Sequence, residues 1–186
     1  MKIGFVIYEG MTALDFVGVF DPLTRLKTMG FMPELAWDVC AFAAGAVRDG
    51  AGLRIEPDKA GGSLEHYDMV VLPGGFGSRS LIHNGPFVDW IRSAAACPVK
   101  ASVCTGALLL GAAGFLKGLP ATTHPGAYEL LRGYCAEVRE DRVVDAGAVV
   151  TARGVTAAID LGLYLGEKLA GPAAAGRIRG QMDYQG

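Results

Sequence analysis

Apolar residues along this chain fall into two patterns. Short, nearly continuous runs at 2–8, 67–72 and 99–103 are too brief for helices and rich in β-branched residues, as expected of strands buried on both faces. Between them, apolar positions recur every three or four residues. Leu14, Val17, Phe20 and Leu23 predict a helix over 12–29, where Pro22 marks a kink or a start. A second strand is predicted at 34–44, and a hairpin-like turn at 46–57 around Arg48-Asp49-Gly50-Ala51-Gly52. A helix is expected at 87–96, and another from 106 to about 116. A brief extended piece, Ala121-Thr122-Thr123, precedes a helix at 125–133 with proline in its first turn. Two short strands at 142–144 and 148–151 flank Asp145-Ala146-Gly147, and a last helix spans 154–170. This alternation predicts an α/β fold with a doubly wound parallel sheet. No linker, repeat or charge run divides residues 1–186, so a single domain is expected.

A cysteine closes the third apolar run. In Ser102-Val103-Cys104-Thr105-Gly106 a strand ends at Cys104 and a helix-forming run begins one residue later. This is the layout of a nucleophile elbow, which holds a reactive side chain at the end of a parallel sheet. The turn is crowded, and Ser102 and Gly106 supply small residues on either side. The helix N-terminus that follows favours thiolate over thiol. The competing reading is a buried structural cysteine, since free Cys is among the most buried residue types.

Ligands of an open parallel sheet bind beyond the carboxyl ends of its strands, and three further segments end there. Pro73-Gly74-Gly75 follows a strand directly, and glycines allow close backbone approach to a ligand. The amides of Gly75 and Thr105 are the candidates for an oxyanion hole; a plain strand-to-loop turn would read the same way. Asp15, in Ala13-Leu14-Asp15-Phe16, is an acid in an apolar run and needs a partner if buried. A helix cap or an Asx turn would also place an acid there. Beside a cysteine, burial and like charge would raise its pKa, making it a proton donor and acceptor for the sulfur. His124 ends Ala121-Thr122-Thr123-His124 just before a helix, where it could reach a neighbouring strand end. His66 and His83 lie in polar, turn-like surroundings and read as surface residues.

Composition narrows the classes. The 186 residues are 51% hydrophobic and 19% charged, which suits a sheet covered on both faces. A formal net charge of −2 and the lack of any basic cluster argue against nucleic acid or an anionic membrane as partner. Cys40, Cys97, Cys104 and Cys135 form no CxxC pair, so neither a metal site nor a disulfide framework is expected, and a reducing cytoplasm is the default. Only Cys104 is assigned chemistry. The first apolar run is too short for a signal peptide, and the longest stretches fall short of a membrane span.

Pro73-Gly74-Gly75, Ser102-Val103-Cys104-Thr105-Gly106 and Ala121-Thr122-Thr123-His124 together resemble the ThiJ/PfpI superfamily. The resemblance implies a flavodoxin-like fold of the class I glutamine amidotransferase type. Within the superfamily the chain is similar to the isonitrile hydratase branch and to sensor domains of AraC-type regulators. Leu14-Asp15, the stretch from Ser102 through Leu116, Arg142-Val143-Val144 and Val155-Thr156-Ala157-Ala158-Ile159-Asp160-Leu161 carry that finer likeness. It implies Cys104 as nucleophile, held as a thiolate. Asp15 stands where many members carry glutamate, and Thr105 positions thiolate or substrate through its hydroxyl and amide. It further implies a small-molecule substrate, no cofactor, and a homodimer with sites near the interface.

The chain departs from the branch at Pro125, where an aromatic residue is usual, and at Thr151-Ala152-Arg153-Gly154, where a glycine-rich turn is usual. Arg153 would place a guanidinium at the pocket mouth, favouring an anionic or carbonyl substrate, unless it points to solvent. The leading expectation is a cysteine-dependent hydratase converting an isonitrile to an N-formamide through a Cys104 thioimidate. A glyoxalase-like or amidase/peptidase-like enzyme would use the same thiol with His124 as base. A third reading is a ligand- or redox-sensing module, since an exposed low-pKa cysteine oxidises readily. Regulators with this domain continue into a helix-turn-helix segment, for which the roughly fifteen residues after the last predicted helix leave no room.

Overall fold

The computed structural model describes residues 1–186. Its strands are β1 (Lys2–Ile7), β2 (Ala36–Ala41), β3 (Val47–Arg48), β4 (Arg54–Ile55), β5 (Lys59–Ala60), β6 (Met69–Leu72), β7 (Val99–Val103), β8 (Pro120–Ala121), β9 (Glu137–Val138), β10 (Val143–Asp145) and β11 (Val149–Ala152). The helices are α1 (Ala13–Thr28), α2 (Ser78–Leu81), α3 (Gly85–Arg92), α4 (Gly106–Ala112), α5 (Tyr128–Leu131) and α6 (Ala157–Gln181).

Seven strands form the central sheet in the order β10-β11-β7-β6-β1-β2-β5. Every neighbouring pair is parallel except β10 and β11. Flanked by helices, this is the flavodoxin-like α/β architecture that the alternating pattern and the family resemblance imply. The continuous apolar runs are explained by position. β1, β6 and β7 lie in the middle, where Phe5, Val6, Val70, Val71, Ala101 and Val103 are all buried. β3 and β4 form the expected hairpin as a separate two-stranded sheet.

α1 packs against α6. The two approach closely through glycines: a Cβ at Gly18 would lie 2.6 Å from Ala158 Cβ, and one at Gly162 would lie 2.8 Å from Pro22 Cγ. Pro22 therefore sits inside α1, with its ring against the facing helix, rather than at a helix start.

Three helices differ from the sequence expectation, and α2, β5 and β9 lie where the sequence predicts no element. α4 stops at Ala112, short of residue 116, because Gly114 takes a left-handed turn (φ +90°) that ends the helical run. The helix expected at 125–133 is a 3₁₀ turn, Pro125–Ala127, followed by the single turn of α5. The last helix runs well past residue 170 to Gln181, broken at Gly171 (φ 84°, ψ 168°), where the following Pro172 disfavours helical backbone. Its end is tied back: Tyr184 Oη donates to Asp160 Oδ1 at 2.9 Å. No helix is long and apolar enough to cross a membrane.

Candidate active site

β7 delivers Cys104 to the carboxyl edge of the sheet with φ 54°, one of two non-glycine residues in the left-handed region. That backbone costs an L-residue on the order of 1–2 kcal/mol, so its surroundings must hold it. The Cys104 N–H donates to Ala152 O on β11 at 3.0 Å, and Thr123 Oγ1 donates to Cys104 O at 2.7 Å. Gly106 is required two residues on, because a Cβ there would lie 2.4 Å from Leu72 O. The nucleophile-elbow geometry expected from the segment is present.

Gly74 is the point where the groups of the site converge. A Cβ there would lie 2.5 Å from Thr105 N, 2.7 Å from Cys104 Cβ and 2.9 Å from Asp15 Oδ2. Asp15, on the first turn of α1, has no exposed surface. Its Oδ2 accepts from Gly74 N–H at 2.9 Å, while Oδ1 is buried with no fixed partner. Asp15 is thus no helix cap but an acid held beside the thiol. Tyr8 Oη donates to Pro73 O at 2.8 Å and clamps the same loop onto β1.

The electrostatics follow from burial. Loss of water raises the Asp15 carboxyl to about 7, opposed by its hydrogen bonds to Gly74 and Cys104. Burial, then the Asp15 charge, pushes the Cys104 thiol up to about 12, although the Thr105 N–H favours the thiolate. The rise at Asp15 matches the sequence expectation. Burial, and then the Asp15 charge, work against the resting thiolate expected for Cys104, while the Thr105 N–H favours it. Asp15 is the ionisable group beside this thiol.

The oxyanion assignment needs correcting at the glycines. Gly75 N–H donates to Thr105 Oγ1 at 2.9 Å, and the same hydroxyl donates to Gly75 O at 3.0 Å. Gly74 N–H is engaged by Asp15. Neither glycine amide is free for a ligand, which leaves the Thr105 N–H, directed at Cys104. Gly75 is nonetheless indispensable, since its φ of +130° brings the loop within 2.5 Å of Gly10 O for any added Cβ.

A cavity of about 150 Å³ opens over Cys104, lined also by Thr12, Gly75, Phe76, Arg79, Thr105, His124 and Val155. His124 is therefore at the site, as expected. Its Nδ1 accepts from Gly126 N–H at 3.1 Å, which puts the proton of the neutral ring on Nε2. Arg153 is not in this cavity. It lines an adjoining recess of about 250 Å³ that shares His124 and Val155. There it donates to Glu140 O at 3.1 Å and lies over the Tyr128 ring. Sequence reasoning missed Arg79, Phe76 and Thr12, which follow strand ends without a recognisable motif; the polar turn after Pro73-Gly74-Gly75 was the available signal. No cluster of three or more His, Cys, Asp or Glu side chains offers a metal site.

The chain matches the DJ-1/PfpI family over residues 1–168. It is 35% identical to an isonitrile hydratase of Pseudomonas putida over 185 residues, 99% of this chain and 78% of that protein. It is 28% identical to the HTH-type transcriptional regulator CdhR of Pseudomonas aeruginosa, spanning 97% of this chain but 57% of the regulator. A ThiJ/PfpI family protein from Pseudomonas syringae superimposes with a TM-score of 0.89 at 30% identity, covering 100% of this chain and 75% of that one. Drosophila melanogaster DJ-1beta shares the fold, with a TM-score of 0.84 at 24% identity over 97% of this chain and 96% of its own. With a cysteine elbow, a buried acid beside it and a match over most of its length, this chain belongs to the DJ-1/PfpI family.

Proposed function

We propose that the protein is a cysteine-dependent enzyme that adds water to an isonitrile to give an N-formamide. The observation that carries this reading is the buried Asp15 carboxyl beside the Cys104 thiol, raised to about 7 and therefore able both to take and to give a proton near neutrality. The likeness to an isonitrile hydratase over nearly the whole chain supports the substrate class.

Asp15 takes the thiol proton as the sulfur attacks the terminal carbon of the isonitrile, and returns it to that carbon. The product is a thioimidate, Cys–S–CH=N–R, with Asp15 ionised again. Asp15 then draws a proton from water as its oxygen adds to the same carbon, and the nitrogen receives that proton. Collapse of the adduct breaks the C–S bond and forms the formamide carbonyl. The hydroxyl proton returns to sulfur, so one water is consumed and the thiol is regenerated. The Thr105 N–H, aimed at the sulfur, steadies negative charge there as it forms.

The glyoxalase-like and amidase/peptidase-like alternative asks His124 to act as base. The bond from Gly126 N–H to Nδ1 speaks against that role, because Nε2 then carries the proton. The redox-sensing alternative asks for a low-pKa thiol, and burial works against one at Cys104.

Turnover of an aryl isonitrile, followed by formamide absorbance, tests the reading in wild type, Cys104→Ser and Asp15→Asn. Activity lost in both variants supports it. Retained turnover in Cys104→Ser, or a silent wild type with its thiol intact by mass, overturns it.

We also propose a homodimer, in the cytoplasm, formed through the N-terminal half of α1 and the β3–β4 hairpin. Leu14 and Val17 are exposed on one face of α1, and Leu53 is exposed on the hairpin. The hairpin abuts the start of α1, since Gly50 N–H donates to Met11 O at 2.9 Å. Light scattering of wild type and Leu53→Glu tests this, with a dimer expected for the first and a monomer for the second.

A further inference from the structure

One charged group in the cavity has no part in the hydration chemistry. Arg79, in α2, is a half-buried residue that lines the space over Cys104, with its guanidinium 5.2 Å from the centre of the Phe76 ring. It makes no ion pair and donates to no protein acceptor, whereas Arg25, Arg92 and Arg142 all close on carboxylates. No acidic side chain lines this cavity, and Asp15 reaches the thiol across Gly74. His124 also lines this cavity, with its Nδ1 taken by Gly126 N–H. Phe76, 83% exposed, provides an apolar ledge under the guanidinium. Among lysine, arginine and carboxylate side chains, Arg79 is thus the one that lines the space over the thiol. A planar guanidinium fork fits a carboxylate through two parallel hydrogen bonds, and partial burial beside an aromatic ring reduces its competition with water.

We infer that Arg79 selects substrates that carry a carboxylate, holding it at the cavity wall while the reacting carbon meets Cys104. The inference rests on Cys104 being the nucleophile, and it adds an anionic substrate class to the hydratase reading. Arg79 is on this view a specificity residue that never touches the reacting atoms.

Two measurements test it, the second of them independent of the hydratase reading. The first compares kcat/KM for isocyanoacetate and 4-isocyanobenzoate with that for their methyl esters. An acid-over-ester preference of roughly tenfold, expressed mainly in KM, is expected for at least one pair. That ratio should collapse toward one in Arg79→Gln and recover in part in Arg79→Lys. An ester equal to or better than the acid in both pairs, or a preference that survives Arg79→Gln, overturns the inference. The second measurement needs no isonitrile turnover. The ratio of Cys104 alkylation rates by iodoacetate and iodoacetamide, read by mass, should fall several-fold in Arg79→Gln; an unchanged ratio overturns the inference. A protein silent on every isonitrile, yet with an Arg79-dependent alkylation ratio, would fail as a hydratase while keeping its anion preference.

Discussion

Asp15 and Cys104 meet across the missing side chain of Gly74, whose Cβ would fall 2.9 Å from Asp15 Oδ2 and 2.7 Å from Cys104 Cβ. The pair contains one strongly held proton and one mobile one. Burial raises both groups, so they titrate as a coupled pair in which the carboxyl, raised to about 7, exchanges its proton near neutrality. Turnover in the proposed mechanism requires Asp15 ionised. The expected kcat/KM profile therefore rises with pH through an apparent pKa near 7, falling about tenfold per pH unit well below it. Asp15→Asn should remove that limb and lower the rate by about 10²–10⁴-fold. A flat profile in the wild type between pH 5 and pH 8 would contradict the assignment.

The same burial has a cost in stability, and its sign is fixed. The Asp15 carboxyl binds its proton more tightly in the folded state (about 7) than in the unfolded chain, where the ordinary value is 3.8. Between those two values the folded protein holds more protons than the unfolded one, so stability falls as pH rises through that window. At pH 8 the buried carboxylate opposes folding by about 4 kcal/mol at most, one pKa unit being about 1.4 kcal/mol. Asp15→Asn keeps an acceptor for Gly74 N–H and removes the charge. Urea unfolding should show the variant more stable than wild type at pH 8, with the gap shrinking toward pH 4.

The Thr105 hydroxyl both accepts from and donates to the backbone of Gly75, at 2.9 and 3.0 Å. Thr105→Val keeps the shape and strips both bonds. Gly75 O retains Ser78 Oγ as a donor at 2.8 Å, but the buried Gly75 N–H has none. The expected loss is about 1–3 kcal/mol of stability, together with turnover, because the loop above the thiol is no longer held. Thr105→Ser should recover most of both, measured by urea unfolding and initial rates.

His124 lines the cavity, yet its Nδ1 is taken by Gly126 N–H. His124→Ala should reduce isonitrile turnover by less than about tenfold, far less than Asp15→Asn does. Equal losses in the two variants would return the base role to the histidine.

How legible the site was in the sequence depended on the origin of each signal. Cys104 was readable because strand-to-helix turns carry a local signature, a β-branched run, small flanking residues and an immediate helix former. Asp15 was readable as an acid where burial is expensive, although only the fold brings it to Gly74, 59 residues away in sequence. The engagement of Gly75 by Thr105 was not readable, because it depends on which way a hydroxyl turns in a packed loop. The seat of Arg153, in the recess adjoining the cavity, was not readable for a related reason. Being near the site in sequence does not fix the direction of a long side chain, and Tyr128 and Glu140 draw this one into the neighbouring recess. Element ends failed where glycine or proline acted through tertiary context, as at Gly114 and Gly171.

The α1–α6 contact that seats Asp15 gives a test independent of chemistry. A methyl at Gly18 would lie 2.6 Å from the Ala158 methyl, well inside contact distance, so the helices would have to separate. Two effects oppose each other in Gly18→Ala. Replacing glycine inside a helix gains about 1 kcal/mol of intrinsic propensity, whereas overpacking a closed contact costs about 1–3 kcal/mol. The clash falls between backbone-anchored methyls, which cannot rotate away, so the cost should win and the variant should lose on the order of 1 kcal/mol. Adding Ala158→Gly moves the methyl from one helix to the other and reopens the space. The double variant should therefore be more stable than Gly18→Ala alone, despite a second glycine in a helix. A double-variant cycle in urea reads this coupling directly; strictly additive effects would show that the two helices do not meet at these residues.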